Sequence, residues 1–274
     1  MTLEQLLPQL APWVANLENV WPATFIKPQF AQWQVLHILS LVVLGGTTII
    51  LNLRLIGVGV TSESPSEIYR NLRTWLAVGV IGIVVTGILI GTANAERLYK
   101  SQAFSVKLLA LVAGVIFTYG VSVPVAKADG LVSRRSKLLF ALGAAVWGLG
   151  LWIFATADLI NPGLWHLISA GALVVLFVAQ GRLRWAYLAG LLTLIAAHFI
   201  WTHFVIKPDD YERLTPVNIA SAWIFASWIA GTALVQLVRA GATPLGGPLT
   251  KLVGYATILV WVTAAAAGRW IAFA

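Results

Sequence analysis

The stretch Gln32–Val58, QWQVLHILSLVVLGGTTIILNLRLIGV, decides the fold class. From Trp33 to Asn52 no residue carries a formal charge. At ~1.5 Å per residue that run is long enough to cross a hydrocarbon core of about 30 Å. One helical turn inside its entry sits His37. An ionisable side chain at that depth costs free energy unless something satisfies it, so His37 is a candidate functional residue. Part of the stretch recurs at Trp165–Leu176, WHLISAGALVVL, where His166 precedes Leu-Ile-Ser as His37 precedes Ile-Leu-Ser.

The remainder of the chain extends this reading. Of its 274 residues 59% are hydrophobic and 10% are charged, against about 25% charged in soluble domains. With a mean hydropathy of +0.86, this is the composition of an all-α polytopic membrane protein. Cysteine is absent and Met1 is the lone methionine, which excludes disulfides, iron–sulfur clusters and soft thiolate or thioether metal ligands. The first 30 residues lack the basic start of a signal peptide. Their Leu, Trp and Val spacing, with Pro8 and Pro12, predicts an amphipathic segment lying on the membrane surface.

Hydropathy predicts eight spans, at 33–58, 72–95, 104–123, 136–157, 163–180, 183–206, 217–239 and 250–273. The loops after the odd-numbered spans hold 11 of the 18 Lys and Arg residues and only Glu63, Glu67 and Asp129 among the acids. The other face holds seven cations and seven acids, so the net charge of +8 sits on one face. By the positive-inside rule that face is cytoplasmic and both termini lie outside; the expected location is a bacterial inner membrane with both termini periplasmic. The basic balance then reports topology and contact with membrane lipids; no nucleic-acid partner is implied.

Two halves of the chain resemble each other. Glu96-Arg97-Leu98 follows the second span and Glu212-Arg213-Leu214 the sixth. Lys137-Leu138 with Trp147 in the fourth span matches Lys251-Leu252 with Trp261 in the eighth. The reading is an N-terminal segment (1–30) and two parallel four-helix units, 31–158 and 159–274, related by a pseudo-two-fold axis along the membrane normal.

His37, His166, His198 and His203 all fall toward the periplasmic ends of their spans. Imidazoles at one membrane level suit a b-type haem, whose axial ligands come from facing helices, or a copper or zinc site. His198 and His203 are five residues apart, about 140° around a helix, and cannot readily share one metal. Arg97, Lys107 and Arg269 lie on the same side and suit haem propionates. The bland alternative for each His is an interfacial anchor beside Trp165 or Trp201, and for Lys107 snorkelling to the interface. Gly79 and Gly82, and Ala264–Gly268, are spacings that let helices approach closely.

The segment LHILSLVVLGGTTIILNLRLIGV, with Phe104-Ser-Val-Lys107-Leu108 and Phe117-Thr-Tyr119, resembles the first and third helices of the HemJ-like and CopD-like membrane families. Gly268–Ala272 is similar to the end of the last helix in an uncharacterised bacterial family of four-span proteins. The resemblance implies haem-b-binding protoporphyrinogen oxidases or eight-span proteins of copper handling. By it, His37 matches the first-helix haem ligand and Lys107 the third-helix lysine. HemJ-like chains place a His after the third-helix Tyr, where this chain has Gly120.

The functional expectation is a membrane haem-b protein in electron transfer between the outer face and a quinone or partner protein. In it His37 is one axial ligand and His166 or His198 the other. The alternatives are a copper or small-solute transporter and a non-catalytic anchor subunit that docks other membrane or periplasmic subunits or a second copy of the chain.

Overall fold

The computed structural model describes residues 1–155, 162–206, 209–239, 245 and 247–272, and every element in them is helical. Eight long helices follow one another: α1 (Phe30–Ile56), α2 (Pro65–Ala93), α3 (Gln102–Val115), α4 (Arg134–Ala155), α5 (Pro162–Val178), α6 (Gly181–Ile200), α7 (Tyr211–Arg239) and α8 (Pro248–Trp270). Seven of these, with their extensions, are long and apolar enough to cross a membrane; α5, with 17 residues, is the shorter one. The chain is a multi-pass membrane protein.

Among the element bounds that differ from the sequence reading, two do so for clear local reasons. The loop expected over 59–71 ends at Ser64, because Ser64 caps α2. Its hydroxyl accepts from the Glu67 N–H while the Glu67 carboxylate accepts from the Ser64 N–H. Such a reciprocal cap, followed by Pro65 at the first helical position, starts a helix efficiently. The third span runs on without a break, from α3 through a π-helical turn, Ile116–Ser122, into Val123–Lys127. It therefore ends four residues later than hydropathy suggests.

The last helix is the centre of the molecule. α8 packs against α1, α3, α5 and α7, and thirteen of its residues are buried. Its sequence permits this. Gly254 lets α1 approach so closely that a Cβ there would lie 2.9 Å from the Asn52 carbonyl oxygen. Gly114 on α3 likewise leaves room for the Trp261 indole. The hydroxyls of Thr257 and Thr263 donate to carbonyls one turn back, Val253 and Leu259. These residues thus need no water inside the hydrocarbon.

Polar side chains tie the neighbours of α8 together. Ser122 donates to Asn52 Oδ1 (2.7 Å), and Asn52 Nδ2 donates to the Thr48 carbonyl (2.8 Å). The indole of Trp261 donates to Thr118 and that of Trp147 to Thr263. Each bond satisfies a group that would otherwise be stranded in an apolar interior. The spacing of Gly79 and Gly82 works as read. A Cβ at Gly79 would lie 2.7 Å from the Leu44 backbone nitrogen, and one at Gly82 would lie 2.5 Å from Ser40 Oγ. This closeness gives α1 and α2 their extensive contact.

The two faces are distinct. On one, the Ser66 N–H donates to Asp129 Oδ1 (3.1 Å), Lys127 lies over the Tyr69 ring, and Gly130 meets Leu245. This is the face rich in Lys and Arg. On the other, the N-terminal segment folds onto the short helix Ala95–Lys100. Val14 packs on Ala95 and Tyr99, the Tyr99 hydroxyl donates to the Leu7 carbonyl, and Glu18 accepts from the Glu96 N–H. Arg97 reaches the carbonyls of Ile271 and Ala272 (3.0 and 3.2 Å), so residues at both ends of the chain share this face. The segment keeps Leu6, Leu10, Trp13, Trp21 and Phe25 exposed, the apolar side an interfacial segment would give to lipid.

Candidate functional site

His37 lies on α1, about two turns from the helix start at Phe30 and on the face toward α2. Its Nδ1 is 2.8 Å from Thr86 Oγ1, and Thr86 donates its only hydroxyl proton to the Gly82 carbonyl at 2.5 Å. The threonine oxygen is therefore an acceptor toward the ring, so Nδ1 carries the imidazole proton. Nε2 is left as a lone pair. Lys107 Nζ stands 3.4 Å from it, and an ammonium can only donate, so both neighbours require the same tautomer. Gly87 gives the ring its space, since a Cβ there would lie 3.3 Å from His37 Cε1.

Lys107 comes from α3, one and a half turns past a start that Ser101 caps by accepting from the Phe104 N–H. Its side chain runs alongside Gly268 of α8. Among the described residues the ion pairs are Lys27–Glu18, Arg70–Glu67, Lys100–Glu96 and Arg213–Asp210. Among the described residues no carboxylate pairs with Lys107, and its polar neighbour is His37. A cation and a lone pair are thus presented together inside a span.

Of the other candidates, Arg97 and Arg269 cluster around the same end of α8. Arg97 is used in closing the carbonyl end of that helix, and Arg269 follows Gly268 directly and is exposed. His198 and His203 are not brought to His37. His198 is on α6, which packs on α5 and α7, whereas α1 packs on α2 and α8. There its Nδ1 is 2.9 Å from Ser221 Oγ, and its ring lies between Trp165 and Phe225, with centroids at 5.2 and 6.3 Å. His203 is exposed in the π turn that ends α6 and stacks on Phe199 at 4.3 Å, an arrangement that suits an interfacial anchor. His166 belongs to α5, and its side chain lies outside the described residues.

Sequence reading missed three partners. Thr86 is an isolated hydroxyl in the apolar run Val80–Ile90, and Ser221 one in Ile219–Ile224; nothing in either run pairs it with a histidine a whole helix away. The third is a cavity of about 510 Å³ between α4, α5, α7 and α8, walled by small residues such as Ala144, Ala226 and Ala230. Its signal was the spacing of those alanines, which also reads as close packing.

Among the described residues no three His, Cys, Asp or Glu side chains are grouped to hold a bare metal ion. A copper or zinc ion needs such a set, because the protein must supply most of its coordination sphere. A porphyrin iron brings four equatorial nitrogens of its own and asks one or two axial ligands of the protein. The set at His37 fits that smaller demand: one imidazole with Nδ1–H fixed on Thr86 and an Nε2 lone pair that meets only the Lys107 ammonium.

Residues 25–158, from the turn before α1 to just beyond α4, match DUF6644, a family of unknown function. No curated protein and no solved structure matches the chain.

Proposed function

We propose that this chain is a haem-b-binding electron-transfer protein of eight spans, built as two parallel four-helix units, with its histidine site on the periplasmic side of a bacterial inner membrane. The observation that carries the reading is the His37 tautomer. An imidazole whose Nδ1–H is held by Thr86 and whose Nε2 lone pair faces only the Lys107 ammonium would suit a haem ligand with its orienting partner. Lys107 supplies the positive charge that an ionised propionate needs in an apolar setting.

When bound, the haem would supply one-electron transfer between a quinone or partner protein and the outer face. The chain's own residues ligate and orient. His37 would hold the iron, Thr86 would orient the ring, and Lys107 with Arg269 would meet the propionates. His198, bonded to Ser221 on α7, would not reach the same group. The match to DUF6644 ends where the first four-helix unit ends, which supports treating that unit as a module. The charge difference between the faces supports the orientation.

The test is the absorption spectrum of protein purified from haem-replete cells. The wild type shows a Soret band, His37→Ala loses it and His198→Ala keeps it. Equal loss in both variants would instead favour a haem bridged between the two units.

A further inference from the structure

The cavity between α4, α5, α7 and α8 contains none of the histidines and is distinct from the His37 site. Its wall is almost wholly hydrocarbon. Of the two indoles that border it, Trp147 already donates to Thr263 on α8. A space of about 510 Å³ with so little to hydrogen-bond does not hold ordered water, and left empty it forfeits dispersion contacts along its whole lining. Along α4 it runs from Phe140 to Leu151 and along α7 from Ala222 to Leu234. At ~1.5 Å per residue that is about 17 Å, the length of an extended acyl chain of about 14 carbons.

Its near end lies toward the basic face. Phe140 lies six residues past the start of α4 at Arg134, and Leu234 lies five residues before the end of α7 at Arg239. Both ends are on the Lys- and Arg-rich face. There Arg134, Arg135 and Lys137 open α4, Arg239 closes α7 and Lys251 lies in the first turn of α8. Among the described residues none of these five is in an ion pair with a carboxylate. An apolar slot therefore begins about 8 Å along the helices from these cations and reaches past the middle of the span.

We propose that the cavity is a binding site for an anionic phospholipid of the basic-face leaflet. One acyl chain fills the slot, and the phosphate-bearing headgroup rests on Arg134, Arg135, Lys137, Arg239 and Lys251. Ala226 and Ala230 keep the slot open, and the cations select the headgroup. The lipid bridges the two four-helix units where direct contact of α4 with α5 and α7 is sparse.

The experiment delipidates the full chain in mild detergent and titrates it separately with phosphatidylglycerol and phosphatidylcholine, counting bound molecules by native mass spectrometry. The expected result is one tightly held phosphatidylglycerol per chain, with phosphatidylcholine at least tenfold weaker. Ala230→Trp, which fills the slot, lowers phosphatidylglycerol binding at least tenfold. Arg134→Gln with Arg135→Gln does so several-fold and narrows the difference between the two lipids. Should Ala230→Trp fail to fold, Ala226→Leu and the arginine double variant carry the same test. Absence of a one-to-one complex, equal binding of both lipids, unchanged binding in the variants, or recovery of a quinone from the native slot would each overturn the proposal.

Discussion

At the scale of single residues, the site depends on one hydroxyl. Thr86 spends its proton on the Gly82 carbonyl and so presents only an acceptor to His37. Replacing it with valine keeps shape and volume but removes that acceptor, leaving Nδ1–H unpaired and the ring free to turn. Loss of such an orienting partner weakens ligation by about 10- to 100-fold. Thr86→Val should therefore lower haem affinity in a reconstitution titration by about that factor, while Thr86→Ser stays close to wild type. Equal affinities for wild type and Thr86→Val would show that the hydrogen bond does not orient a ligand. His37 and Lys107 were legible because a titratable group inside an apolar run is conspicuous. Thr86 was not, since a threonine that bonds back to its own helix is unremarkable.

At the scale of elements, the contact of α1 with α2 holds the site together, because His37 and Thr86 are on different helices. Gly79 meets the Leu44 backbone directly, which no flexible side chain can relieve. Gly79→Leu should separate the helices and destabilise the fold by ~1–3 kcal/mol, read as a lower Tm together with weakened haem retention. Gly45→Ala, where a Cβ meets nothing within 4 Å, should change neither. A lower Tm for both alike would mean that close approach is not what Gly79 provides. On the outer face, the Lys100 hydrogen bond and charge hold the Glu96 carboxyl below its ordinary range, and Glu96 raises Lys100 in turn. A depressed carboxyl contributes above its unfolded value and is lost as pH falls through the folded one. Docking of residues 1–29 on Ala95–Lys100 should thus loosen slightly in acid, seen as faster proteolysis, with a smaller acid effect in Lys100→Gln. The small residues and threonines of α8 were visible in the sequence. That they put the last helix at the centre was not, because small residues state how close a neighbour comes and leave open which neighbour it is.

At the scale of the whole molecule, patterning and charge carried most of the reading: all-helical, multi-pass, with distinct faces. The chemistry of the candidate site was half legible. His37, Lys107, Arg97 and Arg269 were grouped by their common membrane level, and the fold does gather them around one end of α8. His198 shares the level but sits beyond α5, since depth along a span says nothing about position around the bundle. The proposed orientation has a direct check. Single cysteines at Lys100 and Leu131 should divide cleanly, the first labelled by an impermeant reagent in intact cells and the second only after lysis. The reverse pattern would invert the protein and place the His37 site on the cytoplasmic side.

The most direct measurement of the central claim is iron and haem content per chain, taken with the absorption spectrum on one preparation from haem-replete cells. Haem iron should accompany wild type and His198→Ala and be absent from His37→Ala at equal yield of folded protein. A colourless, iron-free wild type, folded and monodisperse, would contradict it.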